Sequence, residues 1–506
     1  MSKNRVITTT LIVGLAIAYA ATRLWRLTAS CLWFDEIFSV HAAEHSWNTI
    51  LGFVANDLIH PPLFYLFLKL WIGIGGESVF WLRLLPVIFS ITALIPFLLL
   101  MRELKRDRSA TILALFFIAF NGSLIKYAQE VRMYSLLMCL SLFSIWLFSR
   151  YFIKGKGLVP LIIINIVMVY SHYFGWFVVL SEVAAIVIFQ RIKIRAILIM
   201  LGSTIVAFLP WAIAVTSFAR AGAEVGQNIG WMQKPSLVNI IQLVLSLVEP
   251  FYFAASNADP FSIYKVSLPI LLILATAFVL FCVRWNRNKT TSETEPLWLL
   301  TIFAGMPIFI AFAASWLLPY SIWGTRHLIV VFVPLAVILA FAVSEVEQKT
   351  VRIVVLSLVV LFTGYAFVRT AQREPTQYSW CAWEPLTAAS ELPANANIYS
   401  GEDLVAYHLW FANRSMPDRK VIRVDDLNGV KEDKAYFLPR GFDEIERVSV
   451  EDVNEKQFWI AFRTKAWDPN PAFINDLRAR GYTIGAPQII DAISEQAILV
   501  EFSRND

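Results

Sequence analysis

The sequence predicts a polytopic α-helical membrane protein of about eleven spans, N-terminus inside and C-terminus outside, followed by a soluble α/β domain. Three observations predict this. Of 506 residues, 58% are hydrophobic and 16% charged, with mean hydropathy +0.61, which is too little charge to cover a soluble protein of this size. Apolar runs of spanning length recur along the first 369 residues. The charge then divides: residues 1–369 hold 28 Lys+Arg against 16 Asp+Glu, and residues 370–506 hold 15 against 22. A basic membrane body (1–369) is followed by an acidic soluble tail (370–506). The net charge of +5 reflects loop bias, so no nucleic-acid partner is implied.

A spanning helix needs about 20 apolar residues. The candidates are 6–26, 80–101, 109–127, 133–152, 158–173, 174–190, 196–215, 265–284, 296–316, 328–344 and 351–369. The first could pass for a signal peptide, with Lys3 and Arg5 before it and Ala18-Tyr19-Ala20 as a cleavage site, but is read as a retained span. Basic clusters at Lys3/Arg5, 102–108, 150–156, 190–195, 284–289 and Lys349/Arg352 fall at every second connection. Cytoplasmic loops are enriched in Lys and Arg, so these connections face inward. The run "PPLFYLFLKLWIGIG" (61–75) is too short to span and would invert every later cluster if it did. It is therefore placed along the outer surface, with Pro61-Pro62 marking its entry. The run 236–253 is treated likewise.

The outward connections then carry every polar-aromatic cluster. They are 27–79 with Asp35, Glu36, Asp57 and His60; "KYAQEVRMY" (126–134); "SHYFGW" (171–176); 216–264; and 317–327, ending in Arg326 and His327. Asp35 and Glu36 are adjacent, hence about 100° apart on a helix, so one at most points squarely into a given pocket. Such a carboxylate can act as a general base toward an acceptor hydroxyl. It can also help hold a divalent cation, the one cofactor these residues admit. The plainer alternative is an acidic pair capping the helix that follows.

Arg132 and Arg326 sit at outer span ends beside aromatic residues, where a planar guanidinium suits phosphate oxygens. Snorkelling, or pairing with Glu130, is the competing account. His60, before two prolines, has the reach to bond a substrate. Glu182 lies mid-span and is a functional suspect on that ground. The alternative is a neutral or paired side chain packed against polar groups such as Asn165. Carboxylate, imidazole, guanidinium and rings on one face suit a lipid-borne sugar phosphate. The enzyme reading requires Asp35, Arg132 and Arg326 to share a pocket at the outer leaflet.

These same residues carry a resemblance. "WFDEIFS" (33–39) resembles the acidic motif of C-type membrane glycosyltransferases, in particular their protein O-mannosyltransferase and lipid A aminoarabinose transferase branch. "HPPLFYLFLKLW" (60–71) is similar to the His-Pro-Pro-Leu segment that follows there, and residues 80–104 and 125–142 resemble the next spans of bacterial members. "GTRHLIVVFVPLAVILA" (324–340) is like their later Arg-aromatic entry, with His327 where Tyr is usual. The resemblance covers about residues 1–370. It implies an inverting transfer from a polyprenyl-phosphate sugar to a lipid, glycan or protein acceptor at the outer face of the inner membrane. Asp35 matches the catalytic aspartate and Glu36 its supporting neighbour. His60 stands where the aminoarabinose branch has lysine, and Arg132 and Arg326 match motif arginines. With these, Tyr127, Glu130, Tyr134, His172 and His327 form the expected substrate-binding set. No Trp-Trp-Asp motif of oligosaccharyltransferases occurs.

The tail reads as strands at 397–401, 420–424, 434–439, 457–462 and 497–502 with a helix at 472–481, and no nucleotide-binding glycine loop. No CxxC pair exists. Cys31 and Cys381 could share an oxidising face, but nothing local fixes their approach, so no bridge is assigned. A transporter or flippase of lipid-linked sugars is the competing function. It would use mid-span ionisable groups in paired repeats, and no clear repeat is found. A non-catalytic assembly subunit, which would tolerate loss of the carboxylates, is the third reading.

Overall fold

A computed structural model describes residues 3–104, 108–189, 194–251, 267–276, 278–279, 282, 291–374, 378–390, 392–425, 427–430, 435–493 and 495–504. The chain forms two compact units. The first gathers Met1–Leu27, Ser46–Ala223 and Met232–Arg373; the second gathers Thr28–His45, Glu224–Trp231 and Glu374–Asp506. Two segments read from sequence as outer loops therefore belong with the tail.

The first unit is helical. Among the described residues, seven helical stretches are long and apolar enough to cross a membrane: Val6–Leu24, Val79–Glu103, Tyr134–Lys154, Ile194–Arg220, Pro296–Leu317, His327–Ser344 and Lys349–Gln372. Each coincides with an expected span. Four more expected spans are shorter helices over their described residues: Arg108–Phe120, Leu158–Ser171, Gly175–Phe189 and, within 265–284, Ser267–Thr276. The run 109–127 breaks for a local reason. Asn121 caps a new helix, Gly122–Ala128, accepting from the Leu124 N–H at 2.9 Å. Its amide also donates to the carbonyls of Ser246 and Leu247.

The two runs placed on the surface form helices Leu63–Gly75 and Leu237–Val248, of 13 and 12 residues. At 1.5 Å per residue these reach about 20 Å, short of a hydrocarbon core of about 30 Å. Leu63–Gly75 is fastened to the next helix by Trp71 and Trp81. The rings stack at 4.2 Å, and each indole N–H donates to the other's carbonyl. Gly75 is required there, because a Cβ would lie 2.1 Å from the Trp81 ring.

Two buried polar groups in this unit, Arg23 and Glu182, bond to neighbouring helices. Arg23, fully buried, donates to the carbonyls of Ala119 (2.6 Å) and Ile118 (2.7 Å) and lies over the Tyr19 ring. Those carbonyls belong to the last turn of Arg108–Phe120, where they have no intrahelical donor and where a cation is favoured. Glu182 closes a ring with Ser144 and Asn165. Ser144 Oγ lies 2.5 Å from Oε1 and 2.8 Å from Asn165 Oδ1, and Asn165 Nδ2 donates to Oε2 at 2.6 Å. Ser144 has one proton for two acceptors, so all three bonds form when the carboxyl itself donates one. Packing against Asn165 was the non-functional account of Glu182, and the contact is present.

The second unit is built on a seven-stranded mixed sheet: β1 Asn397–Ser400, β2 Lys420–Asp425, β3 Glu446–Ser449, β4 Gln457–Thr464, β5 Thr483–Ile484, β6 Gln488–Ala492 and β7 Glu495–Ser503. The order is β3-β2-β1-β4-β7-β5, with β6 also on β7. The first four are parallel, and β7 runs antiparallel to β4. Alternation decides the core face: Phe458, Ile460 and Phe462 of β4 join Ile498, Val500 and Phe502 of β7. Phe458 stacks on its register partner Phe502 at 5.4 Å. The helix Ala472–Ala479 adds Phe473, Ile474 and Leu477. Each such fully buried side chain contributes about 1.5–3 kcal/mol.

Two expectations for the tail are corrected. The run 434–439 is not a strand over its described residues, because the Leu438 N–H is taken by the buried Asp403 carboxylate at 3.0 Å. Strands β3, β5 and β6, short or edge-placed, were not read from sequence. Cys31 and Cys381 do pair, in a disulfide within this unit.

Candidate functional site

Each unit holds part of the expected set. In the first, turns between helices deliver the side chains. His60 follows Leu58, which has left-handed backbone (φ 66°) and ends the helix Ile50–Asp57, and Pro61-Pro62 then start the next helix. Arg132 lies in the turn before Tyr134–Lys154, His172 between Leu158–Ser171 and Gly175–Phe189, and Arg326 and His327 at the entry to Phe332–Ser344.

These residues converge. Arg132, 3% exposed, places Nη2 3.3 Å from His60 Nε2 and Nη1 3.5 Å from the Tyr65 hydroxyl. The His172 ring is 5.4 Å from that of His60, 5.6 Å from His327 and 6.2 Å from Tyr134. Phe174 packs on His172 and His327, and Tyr127 packs on Tyr134. His327 approaches closely because residue 324 is glycine; a Cβ there would sit 2.9 Å from its Nδ1. Glu130 faces Lys126 at 3.8 Å, and Asp57 approaches His60 at 3.7 Å.

The electrostatics are those of crowded cations. Burial holds His60 well below its ordinary value, and Arg132, His172, His327 and Arg326 push it further. His172 is lowered to about 3 by burial first, then by Arg132 and Arg326. Its tautomer follows from its bonds. Nδ1 accepts from the Phe174 backbone N–H at 3.0 Å, so the neutral ring carries its proton on Nε2. That buried N–H finds no partner among the described residues. Tyr65, Phe174 and Asp57 were not in the expected set. Tyr65 is hidden inside an apolar run, and only its place five residues after His60 hinted at it.

The second unit holds the acidic pair, on the helix Phe34–Glu44. Glu36, fully buried, turns back to accept from the Trp33 backbone N–H at 3.1 Å. It is thereby placed as the helix cap that the plainer sequence account described. Asp35 is half-buried, and its carbonyl accepts from Ser39 Oγ. Among the described residues, no group of three or more His, Cys, Asp or Glu side chains is placed to hold a metal.

No family model and no curated protein matches the sequence. Solved structures do. ArnT from Cupriavidus metallidurans bound to undecaprenyl phosphate aligns with a TM-score of 0.58 at 11% identity, covering 99% of this chain and 98% of that one. The same protein in the apo state gives 0.59 at 11% identity, covering 97% of each. The chain has the ArnT fold. That is the fold expected from the motif resemblance over residues 1–370. The archaeal oligosaccharyltransferase AglB from Archaeoglobus fulgidus, in complex with an inhibitory peptide and a dolichol-phosphate, aligns at 0.48 and 14% identity over 82% of this chain and 64% of that one.

Proposed function

We propose that this is an integral-membrane glycosyltransferase that moves a sugar from a polyprenyl-phosphate donor to an acceptor hydroxyl or similar group outside the cytoplasm. The acceptor class is lipid, glycan or protein. Asp35 takes the acceptor proton, the acceptor oxygen bonds to the anomeric carbon with inversion, and the sugar–phosphate C–O bond breaks. The leaving polyprenyl phosphate keeps the electron pair. Arg132, Arg326 and the His172 Nε2–H stabilise its charge, with His60, Tyr134 and His327 lining the place where it sits. No step is routed through a cation.

The observation that carries this reading is His172. Its buried Nε2–H, unpartnered among the described residues, stands in a cluster of cations and neutral imidazoles that together favour an anion. The Cys31–Cys381 disulfide supports an oxidising, extracytoplasmic setting for the Asp35 loop and the sheet domain. The transporter reading loses its main residue, because Glu182 spends its hydrogen bonds on Ser144 and Asn165.

The test is reconstitution in vesicles containing a polyprenyl-phosphate sugar and a cell-envelope acceptor extract, with release of polyprenyl phosphate measured. Wild type should transfer sugar, and Asp35→Asn should do so only at a small residual rate. Intact transfer by Asp35→Asn would remove the base assignment. Sugar crossing the bilayer without transfer would favour the transporter.

A further inference from the structure

The helix bearing Asp35 is fastened to the sheet domain along one face. Phe34, Ile37, His41 and Glu44 recur at helical spacing. The Phe34 ring packs on Tyr407 at 5.1 Å and on Tyr436 at 5.0 Å. His41 Nδ1 and the Tyr407 hydroxyl are 2.9 Å apart, both groups buried. The His41 ring also packs on Trp410 at 4.7 Å and Phe442 at 4.8 Å. At the far end Glu44 meets Arg414 at 3.4 Å, an exposed pair of small weight. Just before the helix, Cys31 is bonded to Cys381 of the tail. His41 stays neutral, lowered to about 3 by burial and then by His45 and Arg414, so its ring can accept from Tyr407.

We infer that Tyr407 and the Cys31–Cys381 bridge are positioning elements for Asp35: the sheet domain sets the rotation of the acid-bearing helix. This rests on the reading of Asp35 as the base. Asp35 follows Phe34, so its side chain leaves the helix about 100° from the fastened face, and its direction is set by how that face is held. With side chains the helix has a radius of 5–6 Å, so a rotation of about 10–20° carries the carboxylate by roughly 1–2 Å. A misplacement of that size lowers rates by up to about 100-fold. The sheet domain thus gains a task, that of aiming the base.

The test compares Tyr407→Phe, which deletes one oxygen, with Cys31→Ser/Cys381→Ser and with Asp35→Asn, all full length and reconstituted. Tyr407→Phe and the double serine variant should lower kcat by roughly 10- to 100-fold, leaving KM for the polyprenyl-phosphate sugar within about threefold. In an Asp35→Asn background, Tyr407→Phe should lower the residual rate no further, because the two act as one unit. A Tyr407 with a merely structural role would lower it in both backgrounds, and that result overturns the inference. If Asp35→Asn cuts transfer to a small residual rate while Tyr407→Phe and the serine pair keep wild-type kcat, positioning is wrong and the base reading stands. If Asp35→Asn transfers normally, both readings fall. Should the serine pair not fold, Tyr407→Phe and its cycle with Asp35→Asn decide alone.

Discussion

His172→Asn separates the two jobs of one imidazole. The asparagine Oδ1 falls near the position of Nδ1 and can keep accepting the Phe174 N–H, the bond now 3.0 Å long. Its side chain ends short of Nε2, so the donor aimed into the cationic cluster is lost. A hydrogen bond to a charged group contributes about 1.5–3 kcal/mol, which converts to roughly 10- to 150-fold weaker phosphate binding. Unliganded stability should stay within about 0.5 kcal/mol. His172→Ala should add a stability loss of about 1–3 kcal/mol, because it also strands the buried Phe174 N–H. The assay is titration of the detergent-solubilised protein with a short-chain polyprenyl phosphate, followed by thermal shift, with unliganded melting as the control. If His172→Asn binds the phosphate as wild type does, or destabilises the unliganded protein as much as His172→Ala, the imidazole is a packing group and the donor argument fails.

Glu182→Gln should be near neutral for both stability and transfer, since the amide can donate to Ser144 and accept from Asn165. Glu182→Ala should lose about 2–4 kcal/mol from stranded polar groups and a cavity, read by thermal unfolding. Arg23→Met should lower the melting temperature while leaving phosphate affinity unchanged, because its donors serve the Ile118 and Ala119 carbonyls. Equal loss of affinity would place Arg23 in the donor site. His41, His172 and His408 are each lowered to about 3, in every case by burial first. An unfolded histidine takes up its proton near 6.5, so these groups stabilise the protein above that pH. The contribution is lost as pH falls toward 3, at about 2 kcal/mol per histidine by pH 5. His408→Gln should flatten that acid slope, and an unchanged slope would refute its share.

Sequence alone reached the membrane class, seven of the long spans, the parallel strands β1 and β2 with β4 and β7, and the residues of the cationic cluster. Those features are local or compositional. An apolar run must span or be buried, and alternation shows which strand face is inside. Basic loops and the series of motifs supplied the rest. What only tertiary structure decided are matters of partner. The disulfide joins residues 350 apart in sequence. Glu36 turns back to the start of its own helix, where its carboxylate takes the Trp33 backbone N–H. The helix carrying Asp35 belongs with the sheet domain, although covalent order places it between membrane segments. His172 acquires its tautomer, and hence its outward donor, from a backbone N–H two residues away. Hydrogen bonds and packing select among side chains that composition leaves equivalent, and that selection exists only once the chain has folded.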